Sequence, residues 1–447
     1  MVGVPSLALH GPARVSLCLL STSSHTDTAK TPGPLSGLVV LDLSRILAGP
    51  TCTQILGDLG AEVLKVERPG KGDDTRGWGP PFLKDEAGKS TAESAYYLSS
   101  NRNKSSVAVD LAAPEGQSLL RQLAAKADIL VENFKVGDLK RRGLDYESLK
   151  SLNPRLIYCS ISGFGQTGPY AHRAGYDFLI QGMGGIMSLT GMPDDEGGTP
   201  VKAGVGIADV MCGMYATTGI LAALNERHAS GEGQYIDIAL LDSQVSWLIN
   251  QGVGYLVSGD VPGRLGNGHP TIVPYETFPA SDGDFILAVG NDSQFAKFCV
   301  CAGCELLAED PRFQTNADRV RNRKALIPLL RQITITRTSD DWITSLEAVG
   351  VPCGPVKDLA QVFADPQVRA RQMQISMPHP DSGTVDLIGS PLNLSRTPVS
   401  YRHAPPRLGE QTEDVLSRYL GLSQSELNDL QEAGVIGRGP VSTETPQ

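Results

Sequence analysis

Between residues 38 and 67 the chain writes a strand, a helix and a second strand in thirty residues. Leu38–Leu43 (LVVLDL) is an apolar run of buried-strand length. Pro50 then takes a first-turn position, Cys52, Ile55, Leu56 and Leu59 recur at helical spacing, and Gly60 supplies the stop. Val63–Glu67 (VLKVE) is the second strand. Two strands joined by a helical crossover pair in parallel, because a hairpin would need a tight turn. The pattern recurs. A helix from Pro114 carries Leu119, Leu120 and Leu123, the strand Ile129–Glu132 follows, Tyr146–Leu152 reads as a short helix and Leu156–Ile161 as another strand. Alternation of this kind predicts an α/β fold with an open, doubly wound, Rossmann-like sheet. Ligands of such sheets bind outside the carboxyl ends of the strands. The loops expected there are Ser44–Gly49, Arg68–Gly72, Asn133–Gly137 and Ser162–Gly168.

At 447 residues the chain is long for one core. The large domain is expected over residues 37–250, a Gly- and Pro-rich linker over 252–274 and a smaller α/β domain over 275–351. The smaller unit includes a strand at Phe285–Val289 and a polar helix around Asn322–Gln332. Residues 354–435 return to the large domain, and 438–447 read as a disordered tail. Residues 1–36 are poor in acids and rich in Ser and Thr, the composition of a mitochondrial transit peptide and so of a protein of the matrix.

Charge and cysteine usage remove several function classes. A net charge of −10 and a pI near 5.3 argue against nucleic acid as a partner. No run of about 18 apolar residues appears, so no membrane-spanning helix is expected. The eight cysteines are scattered, with Cys52, Cys159 and Cys212 in apolar contexts, the pattern of buried thiols in a reducing compartment. Cys299, Cys301 and Cys304 (CVCAGC) lack a second pair at metal-ligand spacing, so a packed helix is expected there and no metal.

Asp209 is the single charged residue in the stretch from Ala203 to Asn225. It stands where Gly204-Val205-Gly206 gives way to a long small-residue and apolar run. A carboxylate in such surroundings is costly to bury and needs a reason. One reason is an N-cap, since its oxygen would satisfy first-turn amides. The other is a nucleophile or base whose reactivity is set by a desolvated pocket.

The common nucleotide motifs fail. A phosphate-binding Walker loop needs Gly where Leu83 precedes Gly88-Lys89-Ser90. The dinucleotide fingerprint breaks at Asp209 after Gly204-x-Gly206, and at Met187 after Gly182-x-Gly184. No GxSxG and no HExxH occur, and the seven histidines are dispersed. Arg45, Arg68, Arg76, Lys104, Arg141 and Arg142 do fall at or near the expected strand-end loops. Arginine forks there suit a polyphosphate, although solvated surface arginines have the same appearance in sequence. Asn133-Phe134 has the chemistry to bond and stack an adenine, and Phe134 serves a core equally well. Gly182, Gly184 and Gly185 offer close backbone approach to a reacting carbonyl. Gly266, Gly268 and His269 form a third flexible segment, a candidate mobile cover.

These segments together resemble the class III CoA-transferases, the family of formyl-CoA and carnitine CoA-transferases and of α-methylacyl-CoA racemase. The likeness runs from about Leu35 to Leu430. It is carried by LDLSRILAGP (41–50), GDLGAEVLKVERPGKGDDTR (57–76), NRNKSSVAVDL (101–111), VENFKVGDLKRRGL (131–144), GFGQTGPY (163–170), GIADVMCGMYATTGILAAL (206–224), GEGQYIDIALLD (231–242) and VPCGPV (351–356). The resemblance implies covalent catalysis by Asp209, with no permanently bound cofactor and a coenzyme A thioester as substrate. Gly184 and Gly185 are then candidate oxyanion donors, and Trp78 and Tyr96 lie near the acyl group. The CoA nucleotide falls to Arg45, Ile46, Leu47, Ala48, Arg68, Asn133, Phe134 and Arg141. Gly266–Pro270 stands where the family has a covering loop, without matching it. The family fold also implies an interlocked homodimer. The members most like this chain move CoA from succinyl-CoA to a dicarboxylic acid, glutarate or hydroxymethylglutarate. A racemase or epimerase would use Asp209 as a base with a histidine partner, but Tyr176 occupies that partner's position and is a poor general base near neutral pH. A non-catalytic CoA-binding protein is the remaining alternative.

Overall fold

A computed structural model describes residues 32–439. Six strands make the main sheet: β1 (Val39–Asp42), β2 (Glu62–Glu67), β3 (Lys104–Ala108), β4 (Ile129–Glu132), β5 (Ile157–Ser162) and β6 (Tyr235–Ala239). Their order is β3-β2-β1-β4-β5-β6, and every neighbouring pair is parallel. Val40 lies opposite Val63 on one side and Ile129 on the other. The chain thus winds outward from β1 through β2 and β3, then returns to β4 and winds the other way. That reversal opens a crevice between β1 and β4 at their carboxyl ends, the switch point where doubly wound sheets bind ligands.

Alternation along the strands feeds two cores. Val40, Ile129 and Val131 pack with Cys52, Leu56, Cys212 and Ile220 on one face. Leu41 and Leu130 pack with Leu120, Leu123 and Leu416 on the other. The strands are apolar on both faces because helices cover both.

Helix α1 (Ala48–Asp58) begins two residues before Pro50, so Pro50 is its third residue rather than its first. The N–H that proline lacks is still one the first turn cannot use. Helix α2 (Pro114–Ala124) follows β3, and α3 (Asp177–Met183) precedes the long α4 (Ile207–Ser230). By length and composition α4 would pass for a membrane span. Here it is a core helix, with Cys212, Ala216 and Ile220 fully buried. It lies close against α1: a Cβ on Gly213 would sit 2.5 Å from the Ala48 carbonyl oxygen.

After β6 come α5 (Leu240–Ser246) and α6 (Ile249–Ser258). The first part of the expected 252–274 linker is therefore helical, since Val253, Leu256 and Val257 keep helical spacing through its glycines. A second unit holds an antiparallel sheet, β7 (Tyr275–Ala280), β8 (Gly283–Ala288) and β9 (Cys353–Pro355), in the order β9-β8-β7. Its core is aromatic, with Phe278, Phe285, Phe298 and Trp342. Cys299 is buried there, on the helix Asp292–Ala302.

The carboxyl-terminal segment returns to cover the edge strand β3. Thr412 Oγ1 accepts the Ala108 N–H at 3.0 Å, and the Val435 carbonyl accepts that of Asp110 at 2.8 Å. Residues 1–31 of the expected leader, and 440–447 of the expected tail, lie outside the described residues. Leu35, placed in that leader by composition, already belongs to the core and donates its N–H to Leu59 O at 3.0 Å.

Candidate active site

The two loops at the switch point are locked together by one side chain. Asn133 Oδ1 accepts the Arg45 N–H at 2.9 Å, and Asn133 Nδ2 donates to the Arg45 carbonyl at 2.7 Å. One N–H and one lone pair of the amide are thus spent on this clamp, and Asn133 still lines the crevice. Ile46 adopts a positive φ of 73° (an uncommon conformation for a branched residue) and donates its N–H to the Asp73 carboxylate at 3.2 Å. Asp73 is buried, and Lys65 bonds it at 2.9 Å while also donating to the Ser44 carbonyl at 3.0 Å. The Lys65 charge holds the Asp73 carboxyl well below the usual range, against the opposing effect of burial.

Behind this loop the expected cations divide. Arg76 is buried, bonded to both Glu67 oxygens at 2.8 Å, to Glu93 at 2.8 Å and to Tyr97. Lys104 is buried against Asp42 at 3.2 Å. Neither faces a ligand. Arg45 pairs with Asp74 at 2.6 Å and lies 5.9 Å from the Phe134 ring centre. Arg68 and Arg142 line a cavity of about 500 Å³ beside Phe134, while Arg141 is exposed and pairs with Asp138.

A second cavity, of about 300 Å³, runs along the crevice from these loops to Asp209. Arg45, Ile46, Leu47, Ala48, Asn133 and Phe134 line it together with Arg173, Tyr176 and Asp209. Asp209 is the third residue of α4, and the N-cap is Gly206, so Asp209 is not the cap. The capping carboxylate belongs to Asp177, at the start of α3. Its Oδ1 accepts the N–H groups of Ala208 at 2.8 Å and Asp209 at 3.4 Å. Gln181 steadies it, donating to Asp177 Oδ2 at 2.7 Å and accepting the Ala203 N–H at 2.8 Å. Asp177 stands in the Gly175-Tyr176-Asp177 motif, where the sequence reading weighed Tyr176 alone. Its position at a helix start was the available signal.

Asp209 keeps some exposure through the cavity, yet burial and then the nearby Asp177 charge push its carboxyl up to about 7. The helix N-terminus favours the ionised form, but burial and a like charge outweigh it. Tyr96 meets Trp78 edge-on at 5.2 Å, and its phenol is held above the ordinary value by burial and then by Asp209 and Asp177. Tyr96 is thus in the electrostatic neighbourhood of Asp209, and Trp78 packs against it.

Gly184 donates its N–H to the Ile180 carbonyl at 2.7 Å, and neither Gly184 nor Gly185 lines the Asp209 cavity. A Cβ on Gly184 would lie 2.4 Å from Gln244 Cγ, and one on Gly185 would lie 3.5 Å from Leu248. Their missing side chains make room for α5 and the turn after it. The Gly266–Pro270 segment is tied to the second unit: Arg323 donates to the His269 and Pro270 carbonyls at 2.7 and 3.0 Å, and the His269 N–H bonds Tyr275 O at 3.0 Å. It does not line the Asp209 cavity within this chain.

The doubly wound sheet thus places the Asp209 carboxylate on its switch-point crevice, where such folds bind ligands. The chain belongs to CoA-transferase family III, whose profile matches residues 35–412. It is 48% identical to the succinate–glutarate CoA-transferase of Agrobacterium fabrum, over 88% of this chain and 97% of that one. It is 42% identical to the human succinyl-CoA:glutarate CoA-transferase, over 90% of each. Among solved structures, a CaiB/BaiF family protein from Brucella suis superposes with a TM-score of 0.77 at 49% identity, covering 87% of this chain and all of the other. The protein is therefore a CoA-transferase that takes CoA thioesters as substrates.

Proposed function

We propose that the protein moves CoA from succinyl-CoA to a dicarboxylic acid, glutarate or hydroxymethylglutarate, through covalent intermediates on Asp209. The observation that carries the proposal is the recessed Asp209 carboxylate, held at the end of the crevice by the Asp177 cap. The substrate class is supported by the names of the relatives, which pair succinate with glutarate.

In the proposed reaction an Asp209 oxygen attacks the thioester carbonyl. The C–S bond breaks, CoA leaves as thiolate, and a mixed anhydride joins the acyl group to Asp209. The thiolate then attacks the aspartyl carbonyl of the anhydride, forming an aspartyl-CoA thioester and releasing the donor acid. The acceptor carboxylate attacks that thioester and expels CoA to give a second anhydride. CoA finally attacks the acceptor's carbonyl, which yields the new thioester and restores Asp209. No proton is consumed in the cycle. The oxyanion assignment of Gly184 requires its N–H to leave the Ile180 carbonyl, to which it donates at 2.7 Å, while Gly185 keeps the same assignment. Phe134, Arg45 and Arg68 take the nucleotide in this reading, with Arg142 better placed on the cavity than Arg141. Asn133 contributes by locking the loops.

An interlocked homodimer belongs to the same reading. It is supported by uncovered apolar side chains on α6, with Leu256 80% and Val257 82% exposed, beside Met214 and Tyr215 on α4. A matrix location is supported only by the composition of residues 1–36. Racemisation is disfavoured by Tyr176, which is exposed beside Asp209 where a histidine base would be needed.

The test is a CoA-exchange screen of mono- and dicarboxylic acids against succinyl-CoA. The proposal expects glutarate-length dicarboxylates to be the best acceptors. Exchange with monocarboxylates alone contradicts the substrate class and leaves the family assignment standing. Loss of the α-hydrogen of a branched acyl-CoA without exchange points to the racemase instead.

A further inference from the structure

The geometry points to Arg173 as the residue that receives the distal carboxylate of the dicarboxylic acyl group. This assignment rests on the proposed transfer reaction and deepens it. Arg173 lines the same cavity as Asp209. Its guanidinium lies 5.1 Å from the ring centre of Phe164 and 4.8 Å from that of Tyr170, and these rings meet edge-on at 5.7 Å. Its one polar contact is a weak one, to Met183 Sδ at 3.8 Å. Among the described residues no carboxylate pairs with it.

The other cations on this cavity are Arg45 and Lys135. Arg45 is bound to Asp74 and packed toward Phe134. Lys135 follows Asn133 and Phe134 in the loop after β4, on a different stretch of chain from the one that caps α4. Arg173 instead belongs to the short segment that ends in Asp177, the cap of the helix bearing Asp209. One stretch of chain therefore sets the positions of both the reacting carboxylate and an unpaired guanidinium.

Chemistry favours the match. A dicarboxylate brings a second negative charge into a cavity that already holds Asp209 and Asp177. Like charges in a partly desolvated site repel strongly unless a cation intervenes. The ring contacts use none of the guanidinium's N–H donors, and only the weak Met183 contact does, so the fork keeps donors for a two-point bond to a carboxylate. A monocarboxylic acyl chain has nothing to offer this group.

The test compares the full-length protein with Arg173→Gln and Arg173→Lys. In each, kcat/KM is measured for the pair succinyl-CoA and glutarate, and for the pair butyryl-CoA and pentanoate. Arg173→Gln is expected to lower the dicarboxylate-to-monocarboxylate ratio about ten- to a hundredfold, the range of a charge-assisted hydrogen-bonded pair. Arg173→Lys is expected to recover part of it, because the charge returns without the fork. An unchanged ratio overturns the assignment, and so does an equal fall for both pairs through a weaker KM for the CoA thioester. The wild-type protein separates the two levels: failure to exchange CoA with any acid overturns the transfer reading itself.

Discussion

Asp177 Oδ1 accepts the main-chain N–H of Asp209 at 3.4 Å, so one carboxylate anchors the helix turn that presents the other. The arrangement fixes the position of Asp209 and also loads it with a like charge. A carboxyl pushed up to about 7 is a stronger nucleophile when ionised than an ordinary aspartate, but near neutral pH only part of it is ionised.

The pH dependence follows in sign. Attack needs the ionised form of Asp209, so kcat/KM for exchange should fall as pH drops through about 7 and level off above it. The measurement is a pH profile of kcat/KM at constant ionic strength. A flat profile between pH 5 and pH 8 on the order of the assay error would contradict the raised carboxyl.

Asp177→Asn should move that acidic limb to lower pH, because it removes the charge that opposes ionisation of Asp209. The asparagine oxygen still accepts an N–H, so the fold should persist. The rate above the limb should drop, because Gln181 now meets an amide and holds it less firmly. Paired profiles of variant and wild type measure both effects. A limb that moves to higher pH contradicts the account.

Asp209→Asn should be at least as stable as the wild type near pH 8. The folded carboxyl is raised above its unfolded value of 3.8, so ionisation weakens the fold as pH rises from about 4 through about 7. The neutral amide has no such penalty. Urea titrations at pH 5 and pH 8 test this, and a variant much weaker than wild type at pH 8 would mean the carboxylate is structural.

Arg76→Met should destabilise by about 3–5 kcal/mol, since it strands Glu67 and Glu93 in the interior without their cation. If Arg76 bound phosphate instead, the chief effect would be a raised KM for the CoA thioester at near-normal stability. Equilibrium unfolding and steady-state kinetics on one preparation distinguish the two.

Much of the fold was open to sequence reading. Ile129–Glu132 and the helix from Pro114 appear with the expected bounds, and the doubly wound parallel sheet is present. Periodicity reports burial on one or two faces, which local sequence carries well. Partner choice was not open in the same way. Arg76 and Arg68 look alike in sequence, yet Arg76 closes on Glu67, Glu93 and the Pro406 carbonyl, the last far along the chain. An arginine fork fits a buried carboxylate as well as a phosphate, and only tertiary packing decides between them. Asn133 likewise carries the chemistry to bond an adenine, and its clamp on the Arg45 backbone beside the positive-φ Ile46 is a tertiary contact that the sequence does not show. The helical start of the 252–274 segment is hidden in the sequence because its glycines read as linker, and its apolar side chains Val253, Leu256 and Val257 are exposed rather than packed in a core.

The central claim is that the Asp209 carboxylate becomes covalently joined to CoA. Wild-type protein incubated with succinyl-CoA, quenched in acid and digested should yield the peptide containing Asp209 carrying CoA in thioester linkage. Hydroxylamine should convert that adduct to the hydroxamate, and Asp209→Asn should form none and exchange no CoA. CoA transfer that persists in Asp209→Asn, or an adduct on a different residue, contradicts the account.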